Sequence, residues 1–79
     1  MYERYYVDNA GYVRDSADGR LVHRTIAYYH IYLKHRKKYP YRFRYYIVHH
    51  KDKNKLNNRV NNLMVLTPKE HKKYHKHLR

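Results

Sequence analysis

The chain has 79 residues, no cysteine, and a formal net charge of +13 from 19 Lys and Arg against 6 Asp and Glu. A chain this short makes one domain that buries only about 60% of its unfolded surface; disulfides are excluded as its support, which leaves a histidine-held metal open. Charge this one-sided implies a polyanionic partner, nucleic acid first, while the lack of any apolar run of membrane-span length, and of a signal-like apolar stretch in MYERYYVDN, leads to the expectation of a cytoplasmic protein.

In chain order, Tyr5-Tyr6-Val7 and Tyr12-Val13-Arg14 flank the turn residues Asp8-Asn9-Ala10-Gly11, and Leu21-Val22-His23 follows Asp18-Gly19. This predicts short antiparallel strands, a hairpin or meander. Thr25 stands where it can cap a helix running to about Lys38, with Ile26, Tyr29 and Leu33 on one stripe, Lys34, Arg36 and Lys37 near its end, and Pro40 closing it. The run AYYHIYL, rich in strand formers, works against that helix.

Arg42 to Val48 alternates, with Phe43, Tyr45 and Ile47 on one face and Arg44 and Tyr46 on the other, which predicts a half-buried strand that delivers the chain to His49-His50. The following KDKNKLNNRVNN suits a long irregular loop whose side chains bond its own backbone. Asp52 and Asn54 have the spacing of a calcium loop, but Leu56 and the missing Gly and terminal Glu break that pattern. Leu63-Met64-Val65-Leu66 predicts a second short strand. Thr67-Pro68-Lys69-Glu70 then supplies an N-cap, a proline at the first helical position and a reciprocal capping glutamate. The helix so opened carries His71 and His75 four residues apart, hence on one face with room for a shared cation. Strand, loop, strand and helix make a ββα unit.

The histidines thus gather in two clusters, His49-His50 and His71 with His75. A one-metal phosphodiesterase needs neutral imidazoles to hold a cation and a further imidazole to take a proton from water, so the clusters point to a nuclease. Twelve tyrosines interleave with the basic residues, as in YLKHRKKYPYRFRYY. That composition suits phosphate contact and base stacking, although for most of them packing of a core short of Leu and Val is the preferred reading. His30, His35 and His77 read as solvated or phosphate-contacting, and His23-Arg24 as a packing or phosphate-positioning pair. Arg44, Lys51 and Arg59 lie nearest the site in sequence and are candidates to share transition-state charge. With Lys53, Lys55, Lys69, Lys72 and Lys73 they are expected to line the nucleic-acid track.

From about residue 43 to 77 the chain resembles the HNH nucleases with a ββα-metal fold. NLMVLTPKEHKKYH is similar to the metal helix of the colicin DNases; Gly11-Tyr12-Val13, His23-Arg24 and VHHKDKNKLNNRVNNL are similar to small HNH proteins of phages and mobile elements. The resemblance implies an α+β fold with one nuclease domain over 1–79, a β-hairpin and helix in 1–41 and the ββα-metal unit in 42–79. It makes His49, His71 and His75 metal ligands, His50 the general base, and Asn62 the residue that braces the loop behind the base. It implies a metal-dependent endonuclease that hydrolyses DNA to 5′-phosphate and 3′-hydroxyl ends in a prokaryotic, archaeal or viral host cell. One divalent ion is expected, magnesium or manganese for catalysis, with zinc, nickel or cobalt favoured by the imidazoles for binding. Duplex DNA is the expected partner of a monomer or weak homodimer, with no membrane partner. Thr67 and Glu70 stand where many such proteins carry cysteines for a structural zinc, so that second metal site is expected to be missing. The rival is a metal-stabilised nucleic-acid-binding module without cleavage. Against it stands His50, an extra imidazole that pure ligation does not need. A basic architectural protein would explain the charge but not the two clusters.

Overall fold

A computed structural model describes residues 4–77, with side chains described as far as Tyr74. Its elements are β1 (Tyr5–Val7), β2 (Val13–Asp15), α1 (Val22–Ala27), β3 (Ile47–His50), β4 (Leu63–Leu66) and α2 (Pro68–His77). The strands form two separate antiparallel hairpins, β1 with β2 and β3 with β4. This is the mixed α+β arrangement anticipated from the sequence.

The first hairpin turns as expected. Asp8 Oδ1 accepts the backbone N–H of both Ala10 and Tyr12, and Gly11 takes the positive φ of 91° that the tight return requires. Leu21-Val22-His23 does not continue the sheet. Leu21 makes only an isolated bridge to Arg14, and the helix begins at Val22.

Thr25 therefore does not cap α1. It lies inside the first turn, where its hydroxyl and its N–H both reach back to the Leu21 carbonyl. The early start puts His23 and Ala27, four residues apart, against the rest of the fold, and both are buried. Tertiary burial has overridden capping preference here. Beyond Ala27 the helix widens into a π turn over Tyr28–Tyr32, in which the Leu33 N–H bonds the Tyr28 carbonyl, and tightens to a 3-10 turn at Leu33–His35. This change of pitch rotates the expected stripe out of place. Tyr29 is 58% and Leu33 43% exposed, while Tyr32 is buried.

The predicted strand over 42–48 is likewise shorter, its first half being a turn. Phe43–Tyr45 is a 3-10 turn, and Arg24 donates to the Phe43 and Tyr46 carbonyls while stacking on the Phe43 ring. Those carbonyls are consumed by a side chain, so the ladder starts only at Ile47. Tyr46, Val48 and His50 then point inward and Tyr45 outward, while Phe43, at the start of the turn, also packs against the core.

The core consists of Ala27, Tyr32, Tyr46, Val48, Leu63 and Val65, with Ile26, Tyr28, Ile31, Tyr39 and Phe43 packed around it. Aliphatic residues at alternate positions of β3 and β4 supply about 1.5–3 kcal/mol each on burial. Aromatic pairs such as Tyr32–Phe43, with ring centres 5.2 Å apart, add about 0.5–1.5 kcal/mol. Core packing accounts for fewer tyrosines than expected: Tyr5, Tyr6, Tyr29, Tyr41 and Tyr45 are exposed.

At the other end, the capping box forms as read. The Thr67 N–H donates to Glu70 Oε1 at 2.9 Å and the Glu70 N–H to Thr67 Oγ1 at 3.1 Å. Helix α2 starts at Pro68 and packs on both β3 and β4, which brings its histidine-bearing face to the second hairpin.

Candidate active site

Strand β3 ends at His50, so its last two residues are the consecutive histidines. Adjacent strand residues face opposite sides, and the imidazoles divide accordingly. His49 turns toward α2, its ring centre 5.7 Å from that of His71 and 5.0 Å from that of Tyr74. His50 turns toward the first hairpin and α1. Its ring centre is 4.9 Å from His23 and 6.4 Å from Tyr12, and the His23 and Tyr12 rings stack at 5.2 Å.

His50 is also held from the loop that follows it. Its Nε2 lies 2.7 Å from Asn58 Oδ1. That loop, between β3 and β4, is closed at its neck by Asn62. The Asn62 side-chain amide donates to Asp52 Oδ1 and the Asn57 carbonyl, its Oδ1 accepts the Asp52 N–H, and its backbone carbonyl accepts the Lys51 N–H. Asp52 also accepts from the Asn57 side chain and the Asn54 N–H, and these bonds lower the pKa of its carboxyl. Asn62 thus bonds across the neck of the loop, and the side chain that touches His50 is that of Asn58.

Among the described residues His49 and His71 form a pair, not a group of three potential ligands. The side chain of His75 lies outside the described residues, as does that of His77. The two imidazoles, one on a strand and one on a helix and edge-to-face, are of the nitrogen-donor type that divalent ions such as zinc accept. Burial, with the charges of His50, Arg24 and Arg14 behind it, pushes the His23 imidazole down to about 4 from 6.5. Its Nδ1 is buried without a hydrogen-bond partner among the described residues. His30 and His35 are exposed.

Arg44, Lys51, Lys53, Lys55, Arg59, Lys69, Lys72 and Lys73 are all exposed. Lys55 has an internal task, since its Nζ donates to the Ala10 carbonyl at 2.8 Å and lies over the Tyr12 ring. It ties the 51–62 loop to the first hairpin. Arg24, through its bonds to the Phe43 and Tyr46 carbonyls, packs α1 against the 43–46 turn, one of the two roles expected of the His23-Arg24 pair.

Sequence reasoning missed Tyr12 and Asn58, and set Asp52 aside once the calcium pattern failed. The signal present was the density of asparagines at positions 57, 58 and 62 behind Asp52, a set able to bond across a loop as well as along it.

A hairpin ending in two histidines and covered by a helix bearing a third defines a small ββα protein. The model of the HNH endonuclease family matches residues 20–73, and the chain belongs to that family. The match includes His23, the paired histidines, the asparagine loop and His71. Neither the search of curated proteins nor that of solved structures finds a match. Family membership makes nucleic acid the substrate class. Among the described residues no helix is long and apolar enough to cross a membrane.

Proposed function

We propose that residues 1–79 act as one metal-dependent nuclease domain that hydrolyses duplex DNA to 5′-phosphate and 3′-hydroxyl ends. The observation that supports this best is the division of labour at the end of β3, with His49 facing His71 while His50 is held by Asn58. One imidazole is turned to a second possible ligand, and its neighbour is held separately as a base.

His49 and His71, joined by His75, would hold the ion. Such an ion would supply charge neutralisation for the phosphoryl transfer. Neutral His50 takes a proton from the attacking water. Asn62 holds the loop beside it, and the exposed Arg44, Lys51, Lys53, Arg59, Lys69, Lys72 and Lys73 contact phosphates of the track. Magnesium or manganese suits the reaction, whereas zinc, nickel or cobalt suits the imidazole donors better. One such site per chain fits a monomer, or a weak homodimer where both strands are cut.

The test is an assay of supercoiled plasmid, linear duplex, single strand and RNA against a panel of divalent ions. Nicking that requires metal and stops with chelator is the expected result. Metal-saturated binding without cleavage of any substrate would replace this reading with that of a binding module.

A further inference from the structure

The loop between β3 and β4 gives His50 a specific partner, and the chemistry of that contact determines which ring nitrogen can accept a proton. Asn58 Oδ1 is 2.7 Å from His50 Nε2. An amide oxygen carries lone pairs and no hydrogen, so a bond to it needs a proton on Nε2. A neutral imidazole has a single N–H, which leaves its Nδ1 as the acceptor. We propose that Asn58 is a positioning residue that selects the Nε2–H tautomer of His50 and leaves Nδ1 to act as the base.

Three further observations support it. The ring of His50 is walled by His23, at 4.9 Å, and beyond it by Tyr12, at 6.4 Å, which limits rotation about its side-chain bonds. His50 is only 6% exposed, so the Asn58 contact is made where competition from bulk water is weak. Asn58 itself is held in place from the residue before it, since the Asn57 carbonyl accepts the Asn62 amide and the Asn57 side chain donates to Asp52. On this account Asn62 acts on His50 through Asn58, by holding the loop that presents it.

The catalytic part of the inference rests on His50 being the base, so the experiment reads tautomer and cleavage separately. The full chain, with its histidines labelled with nitrogen-15 and with zinc added to occupy the His49–His71 pair, is examined by two-bond proton–nitrogen correlation at about pH 8, above the ordinary histidine range. His50 is expected as the Nε2–H tautomer. Asn58→Ala is expected to give a mixture of tautomers, and Asn58→Asp, which keeps an acceptor oxygen, to restore the wild-type pattern.

In plasmid cleavage Asn58→Ala should lose about 10- to 100-fold in kcat with little change in KM, and Asn58→Asp should recover most of that loss. An Nδ1–H tautomer in the wild-type protein, or a tautomer indifferent to Asn58→Ala, overturns the proposal. The wild-type spectrum decides the first point even where a variant fails to fold. Cleavage that survives in His50→Ala removes the base assignment instead, and leaves the tautomer result to judge Asn58 on its own.

Discussion

His49 and His50 share a peptide bond, yet their rings serve opposite sides of β3, His49 facing His71 of α2 and His50 facing His23 of α1. The second hairpin is therefore held between two helices by imidazoles that face different neighbours. Substitutions at the two positions should separate cleanly.

His50→Ala is expected to lose about 10²- to 10⁴-fold in cleavage, the range for removal of a general base, while DNA affinity and zinc affinity stay within about twofold. His71→Ala should do the reverse in order of events, weakening zinc first and cleavage as a consequence. Calorimetric titration of zinc beside plasmid nicking checks both. Equal zinc affinities in wild type and His71→Ala would remove α2 from the metal site.

The capping box makes a second prediction, this time on stability. Thr67→Ala should cost about 1 kcal/mol, and since Thr67 and Glu70 satisfy each other's N–H groups, the double substitution should cost less than the sum of the singles. Urea denaturation of the four proteins measures the coupling. Strict additivity would show that the reciprocal bonds do not act together in solution.

Acid should destabilise the fold through His23. Its folded-state pKa, about 4, lies below the ordinary 6.5, chiefly because burial disfavours the charged ring. The unfolded chain thus takes up a proton near 6.5 that the folded chain refuses until about 4. Stability is present in full above 6.5, falls as pH drops through the window, and has lost on the order of 3 kcal/mol below it. Urea midpoints taken from about pH 7 to pH 4 should show the decline, and His23→Gln should flatten it. An unchanged slope in that variant would assign the acid sensitivity elsewhere.

DNA binding should weaken steeply with salt as counterions are released. Each of Lys51→Ala, Lys69→Ala and Lys72→Ala should reduce the slope of log K against log salt by about one. Lys55→Ala should leave the slope nearly intact, because its amine already serves the Ala10 carbonyl, and should lower thermal stability instead. A full unit of slope lost in Lys55→Ala would place that lysine on the DNA.

The second half of the fold was the more legible from sequence because its signals are local. Thr67-Pro68-Lys69-Glu70 satisfies its own backbone donors whatever surrounds it, and Leu63–Leu66 is bounded by polar residues and that cap. Residues 21–48 were misread where distant contacts decide. Val22 joins the helix because His23 and Ala27 find burial, and Ile47 starts the strand late because Arg24, far back in the chain, takes the carbonyls before it. The histidine clusters stood out by spacing and type. The contact of Asn58 with His50 did not, since any of several asparagines in the loop has the same reach and only the folded backbone selects one.

The wide turn at Tyr28–Tyr32 has the form left by a single inserted residue in an ordinary helix. Deleting the exposed Tyr29 would return that stretch to regular pitch and leave the residues after it facing as they do now, because the wide turn alone absorbs the extra residue. Tyr32 would then stand one ordinary turn after the buried Ala27 and keep its place beside Phe43 and Tyr46. A chain one residue shorter could thus keep the same aromatic at the centre of the molecule, so that the extra residue is carried by the turn and not by the packing.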